Sequence, residues 1–220
     1  MLRCNGAVCY DCQSQWFSPH TQRCQQCARP HRLALGAICR HCAITLPAYD
    51  RTIAATDYQA PIDQCVIALK FHQQLHLAPF FAAQITNAFL QFNLPPLPLP
   101  DVLIATPISH QRLRERGYNQ ALEIARPLSQ MLGIRLQSRL VYRSRNTTAQ
   151  TQLGAHARQM NVASAFTLTF DAENWIAGQH IGIVDDVMTT GETLQALAEL
   201  LKSYGARRVT NFVFARTLLL

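Results

Sequence analysis

The sequence predicts an α/β fold, a partly parallel sheet flanked by helices, with a small cysteine-rich module ahead of it. Three observations predict this. Apolar runs at Ile181–Val184 and Val209–Ala215 bracket a helical pattern over Glu192–Tyr204, and a strand–helix–strand unit of that length makes its two strands parallel neighbours in one sheet. Apolar residues at helical spacing (Ile62, Val66 and Leu69, then Phe80, Ile85 and Phe89) predict helices over 61–72 and 77–92. Seven of the eight cysteines precede residue 43, and six of them form C-x-x-C pairs that recur every 15 residues.

The remaining elements follow in chain order. Residues 1–49 hold little apolar material between the cysteine pairs, so burial alone cannot fold them, and the composition changes at about Asp50. The division expected is a cysteine module over 1–49 and an α/β domain over 50–220. Pro-rich Leu94–Pro100 reads as a stiff connector, and Val102–Ile108 as a buried strand. Asn119–Leu132 reads as a helix stopped by Gly133, with Pro127 expected to kink or split it. Arg135–Tyr142 reads as one strand, and Arg143–Asn161 as loop and short helix. Leu194, Leu197, Ala198 and Leu201 share one face of the last helix, and Gly205 ends it.

Composition bounds the function. A net charge of +7 suits phosphorylated ligands or nucleic acid, and equally suits simple solubility. The longest apolar stretch is interrupted by prolines and Asp101, so no membrane span is expected. The N-terminal residues lack the apolar core of a secretory signal, and the expected location is cytoplasmic.

The chemistry concentrates in IGIVDDVMTTGETL, residues 181–194. Asp185 and Asp186 are expected at the carboxyl end of a strand, where ligands of parallel sheets bind. Two adjacent carboxylates can accept hydrogen bonds from both hydroxyls of a ribose, or hold them through Mg²⁺. Backbone N–H groups of a Thr-Gly turn opening a helix can take a phosphate, and Gly191 lets the backbone come close. Thr189, Thr190 and Thr193 add hydroxyls. Exposed acids on a capped turn are the alternative, but a cap needs one such residue, not the whole series. A second stretch, HQRLRERGYNQA at 110–121, reads as a basic loop. Its Arg112, Arg114 and Arg116 could fork onto phosphate oxygens or form a solvated turn.

VDDVMTTGET resembles the phosphoribosyl-pyrophosphate (PRPP) loop of type I phosphoribosyltransferases. The resemblance implies that Asp185 and Asp186 hold the ribose hydroxyls and that Thr189, Thr190, Gly191, Glu192 and Thr193 wrap the 5-phosphate. It also implies that Arg112, Arg114 and Arg116 lie in a loop that binds pyrophosphate and closes over the site. Purine-salvage members carry an acid where this chain has Thr189, which points away from that branch. ALKF at 68–71, RLRERGYNQA, the polar series from Arg145 to Asn161, and VDDVMTTGET stand in the order seen in the ComF/GntX family. That family is the competence-protein branch of the same superfamily, and the resemblance spans nearly the whole chain. Candidates for a catalytic role are Arg116 and Lys70, although Lys70 alone reads as a surface lysine.

C-x-x-C pairs in a short polar segment of a cytosolic protein signal structural Zn²⁺ rather than disulfides. The resemblance selects Cys24, Cys27, Cys39 and Cys42 as ligands. Cys4, Cys9 and Cys12 remain for an incomplete second site, with His20 and His31 as outside candidates. Tyr10, Trp16 and Phe17 could stack on bases or pack the module's own small core. The function implied is that of a PRPP-binding, phosphoribosyltransferase-like protein that handles internalised single-stranded DNA in natural competence. A competence helicase or other DNA-processing proteins are the partners expected with it. A metabolic phosphoribosyltransferase with an unknown nitrogen acceptor, or a non-catalytic PRPP sensor, would use the same loop. The sequence shows the donor half of such a site and no recognisable acceptor half, so it leaves open whether turnover occurs.

Overall fold

A computed structural model describes residues 8–17, 22–31, 37–92, 98–143 and 165–218. Its centre is a five-stranded parallel sheet of order β1-β7-β6-β2-β3. These strands are β1 (Arg51–Asp57), β2 (Val102–Ala105), β3 (Arg135–Leu136), β6 (His180–Met188) and β7 (Arg208–Arg216). Two short strands, β4 (Val141–Arg143) and β5 (Phe166–Leu168), pair antiparallel in a separate ribbon.

Alternation along the strands sends side chains into two apolar layers. On one face Ile53, Leu103, Val184, Phe212 and Phe214 meet three helices: α3 (Ile62–Phe71), α4 (Leu77–Phe92) and α6 (Gln120–Leu132). On the other, Ala54, Ile104, Ile181, Ile183 and Val213 meet α8 (Glu192–Ser203), short α7 (Glu173–Ile176) and the cysteine segment. That segment contributes α1 (Tyr10–Trp16) and α2 (Arg40–Ile44). It lies along the outer edge of the sheet, where the Thr52 N–H donates to the Gln25 carbonyl at 3.1 Å and Arg23 pairs with Asp57 at 2.7 Å. Cys24, Cys27 and Cys42 join the apolar layer. Phe17 crosses to the opposite face, where its ring meets Phe80 edge-on at 5.0 Å. It therefore packs into the main core and not into a core of the module's own, while Trp16 at the end of α1 is exposed.

Both helices expected over 61–92 are present. Asn119 caps α6 by accepting from the Ala121 N–H, and Gly133 ends it at φ +66°. Helix α6 is not split at Pro127. Ala121, Ile124, Ala125 and Leu128 are fully buried on its inner face, and this packing outweighs the one backbone hydrogen bond that proline removes. The strand expected over Val102–Ile108 stops at Ala105, two residues before Pro107. The single strand expected over Arg135–Tyr142 is two strands in two sheets, β3 and β4, separated at 137–140. Strand β1 was not expected. Residues 94–97 of the Pro-rich connector, and the series from Arg145 to Asn161, lie outside the described residues.

The strand pair β6–β7 fixes where the site forms. Gly182 lies opposite Thr210 and beside Leu103. A Cβ there would stand 2.4 Å from Leu103 Cδ2 and 3.1 Å from Phe212 Cε2. The close approach of β2 to β6 needs this glycine, and that approach brings the carboxyl ends of the two strands together.

Candidate functional site

Strand β6 does not stop at the acids; it runs through them to Met188. Asp185 and Asp186 therefore sit within the strand near the carboxyl edge of the sheet, and both are buried. Asp186 faces α3, where Lys70 Nζ lies 2.6 Å from its Oδ2. Asp185 accepts at Oδ1 from the Asp186 N–H at 2.8 Å. Burial first, then the neighbouring Asp186 charge, push the Asp185 carboxyl well above the ordinary carboxylate range. Lys70, a candidate for a catalytic role that alone reads as a surface lysine, is here the counter-charge of Asp186.

The loop that follows is set by backbone geometry. Thr189 and Thr190 are exposed, Gly191 is buried, and Thr193 lies half-buried in the first turn of α8. Gly191 occupies the N-cap at φ +92°, and a Cβ there would approach Met188 Cε to 2.7 Å and the Tyr49 hydroxyl to 3.3 Å. No side chain caps α8, so its first-turn N–H groups stay open to an anion. The nearest substitute is the Thr190 hydroxyl, 3.4 Å from the Glu192 nitrogen. At the end of β2, Thr106 is buried with no partner for its Oγ1. It follows the register pair Ala105–Val184, which sets it beside Asp185. This orphaned hydroxyl marks polar space inside the cleft.

The basic stretch forms a helix, α5 (His110–Arg116), and not a loop. Ser109 caps it by accepting from the Arg112 N–H at 3.3 Å, and Gly117 closes it at φ +83°. Arg112 and Arg116 join Lys70, Phe71, Gln73, Glu115 and Tyr118 around a cavity of about 160 Å³. Arg116 lies over the Phe71 ring at 5.2 Å and donates to Gln120. Arg114 is exposed on α5 and does not line this cavity. The Tyr118 hydroxyl, in the turn just after α5, donates to the Leu69 carbonyl, which ties that turn to the end of α3 beside Lys70.

In the cysteine segment the sulfurs of Cys24, Cys27, Cys39 and Cys42 all lie within 4.8 Å of one another. Cys27 Sγ and Cys39 Sγ are 3.7 Å apart, close to the ~3.8 Å that a tetrahedron of 2.3 Å Zn–S bonds requires. The Cys39 N–H donates to Cys24 Sγ at 3.2 Å. A hydrogen bond from the Cys27 thiol pulls Cys24 down to about 4, and the same bond pushes Cys27 up. Burial raises Cys42 to about 12. The donor set fits a divalent metal such as Zn²⁺. Among the described residues no other cluster of this kind forms. Cys9 and Cys12 flank the start of α1, with the Cys9 sulfur accepting from the Cys12 N–H. His31 contacts the Ala37 carbonyl through Nε2 at 3.1 Å. Cys4 and His20 lie outside the described residues.

A parallel sheet with an acid pair on its central strand, a glycine-opened helix after it and basic groups across the cleft defines the phosphoribosyltransferase class. Residues 119–217 match the phosphoribosyl transferase domain. The chain is 30% identical to the DNA utilization protein YhgH of Salmonella typhi, over 96% of this chain and 97% of that one. It is 30% identical to competence protein F of Haemophilus influenzae, over 96% and 91% of the two chains. It is 27% identical to competence protein ComFC of Bacillus subtilis, over 99% and 87%. The chain belongs to the ComF family of phosphoribosyltransferase-fold, competence-associated proteins. No described helix is long and apolar enough to cross a membrane.

The raised Asp185 carboxyl has a pH consequence. Its folded value lies above the unfolded value of about 3.9. The stability that the protonated form contributes is therefore complete below the unfolded value and is lost as pH rises through the folded one. Asp185→Asn keeps the acceptor oxygen and cannot ionise. It should raise the urea midpoint at pH 8, with the gain fading toward pH 4. A gain of equal size at both pH values would show that Asp185 ionises normally.

Proposed function

We propose that this protein binds PRPP at the carboxyl edge of β6 and acts on internalised DNA in competence. The observation that carries the first part is the buried Asp185–Asp186 pair beside the Gly191 turn, with Lys70 as its counter-ion. In this reading the acids take the ribose hydroxyls. The Thr189–Thr193 turn takes the 5-phosphate on open N–H groups of α8. Arg112, Arg116 and Lys70 receive the pyrophosphate, and Arg114 stays outward. Lys70 is shared between Asp186 and the cavity of α5, so it can exchange its carboxylate for a ligand phosphate as the ligand enters. Mg²⁺, when bound with PRPP, would neutralise the charge that otherwise keeps pyrophosphate and the buried acids apart. Residues 1–49 serve as the metal module, with one Zn²⁺ on Cys24, Cys27, Cys39 and Cys42, and residues 50–220 as the PRPP-binding domain.

DNA is supported by the names of the relatives and by the cationic balance of the chain. Exposed Arg112 and Arg114 on α5 offer phosphate contacts beside the cleft. Trp16 is exposed and available to stack on a base, whereas buried Phe17 is not. If binding is by charge, affinity for single-stranded DNA should fall steeply between 50 and 200 mM salt. Arg112→Ala with Arg114→Ala should flatten that slope. An affinity indifferent to salt would remove the electrostatic reading.

For the ligand itself, Asp186→Asn should weaken PRPP binding about tenfold or more in calorimetric titration, at unchanged zinc content. This expectation follows from the ~1.5–3 kcal/mol typical of hydrogen bonds to a charged group. Equal titration curves for both proteins would refute the site. Pyrophosphate release in the presence of nitrogen acceptors distinguishes a transferase from a binder: turnover with one acceptor selects catalysis, and binding without release selects a PRPP-responsive role.

A further inference from the structure

Arg216 ends β7 and is the largest fully buried side chain of the described residues, 1% exposed. No carboxylate pairs with it among the described residues. Its Nε donates to the carbonyl of Cys27 at 2.9 Å. Its Nη1 donates to the carbonyls of Met188, at 2.9 Å, and of Thr189. The same nitrogen reaches the Thr217 carbonyl at 3.0 Å and the Thr217 hydroxyl at 3.2 Å. One guanidinium thus grips the second cysteine of a knuckle and, at Met188 and Thr189, the start of the turn that reaches Gly191.

Burying a cation with no carboxylate partner is costly, and the sulfur cluster lies next to this one through Cys27. A metal held by four thiolates carries about −2 overall, so the loaded centre is the anion that Arg216 lacks elsewhere. Two further ties join the same bodies. Tyr49 is buried in the apolar layer with Cys27 and Cys42, and its hydroxyl stands 3.3 Å from where a Gly191 Cβ would be. The Ala48 N–H donates to Gln195 Oε1 on α8 at 2.8 Å. The planar fork matters, because a lysine ammonium is a point donor that cannot span Cys27 and the Met188–Thr189 carbonyls together.

We infer that Arg216 is a positioning residue that clamps the entrance of the Thr189–Thr193 loop to the Cys27 knuckle, so that metal occupancy of the four-cysteine centre sets the loop's readiness for a phosphate ligand. This rests on the PRPP reading for the identity of the ligand, but not for the clamp.

The test uses the full chain, loaded with Zn²⁺ or stripped by a chelator, as wild type, Arg216→Lys and Arg216→Met. The first readout is amide hydrogen exchange and needs no ligand. In the wild type, stripping should speed exchange across 188–193 about tenfold and leave 181–184 unchanged. Arg216→Met should show the faster exchange while still loaded, and stripping it should add less than twofold. Arg216→Lys, which keeps the charge without the fork, should fall with Arg216→Met. The second readout is PRPP affinity, expected to follow the same pattern. Loop exchange in the wild type that ignores metal removal overturns the clamp, and so does metal removal that loosens wild type and variants by equal factors. If Arg216→Met does not fold, the wild type and Arg216→Lys still decide. Failure of loaded wild type to bind PRPP overturns the ligand assignment while the exchange result stands by itself.

Discussion

Two consecutive carboxylates buried in one central strand are the constraint around which this protein is arranged. Such a pair cannot ionise twice in an apolar sheet without compensation. Asp186 receives Lys70 from α3, and burial, with the neighbouring Asp186 charge, raises the Asp185 carboxyl above the ordinary range. Helix α3 must therefore end where Lys70 can reach, and the Tyr118–Leu69 hydrogen bond fixes that end against the turn after α5. The position of the basic helix follows from the same requirement. An arrangement with one carboxyl raised by burial and the other paired with a lysine resembles a charge site waiting for a cationic or metal-bearing ligand.

The opposite face is governed by an edge. Strand β1 is the outermost strand on its side, and an open edge there would invite another chain. The cysteine segment covers it through Gln25 and the Arg23–Asp57 pair. Its sulfurs also enter the apolar layer beneath α8, so the segment is part of the domain's core as well as its cover. The sulfur cluster and the candidate phosphate loop thus share neighbours in Tyr49, Gln195 and Arg216.

Much of this was legible because it is written locally. Asn119 and Gly133 mark α6 by cap chemistry, and Gly205 closes α8 in the same way. The DD-x-x-TTG order carries the cleft because its acids, hydroxyls and glycine stand next to one another in the chain. What escaped is non-local or two-sided. RTIAATD gives no clean alternation, because β1 is covered on both faces, so it did not read as a strand. HQRLRER reads as a charged loop because α5 buries no residue and leaves no apolar stripe. Lys70 stands out only through the ALKF resemblance, because its partner Asp186 lies 116 positions away in sequence. Thr106 and Arg216 carry no sequence signal, since their importance lies in what surrounds them.

The place of β7 in the sheet has a consequence for how the chain reaches its folded form. β7 lies between β1 and β6 although it is the last of the described strands to be made, and it pairs Arg51 with Thr210 across 159 positions. Until it docks, β1 has no partner in the main sheet. Ribosomal synthesis therefore exposes an incomplete sheet for most of its duration, and its closure requires the most distant pairing in the domain. Contacts of such long sequence separation slow folding and leave strand edges open meanwhile. Early capture of metal by the cysteine pairs would give the N-terminal segment order of its own during that interval. The arrival of Arg216 beside Cys27 would then be among the closing events of folding.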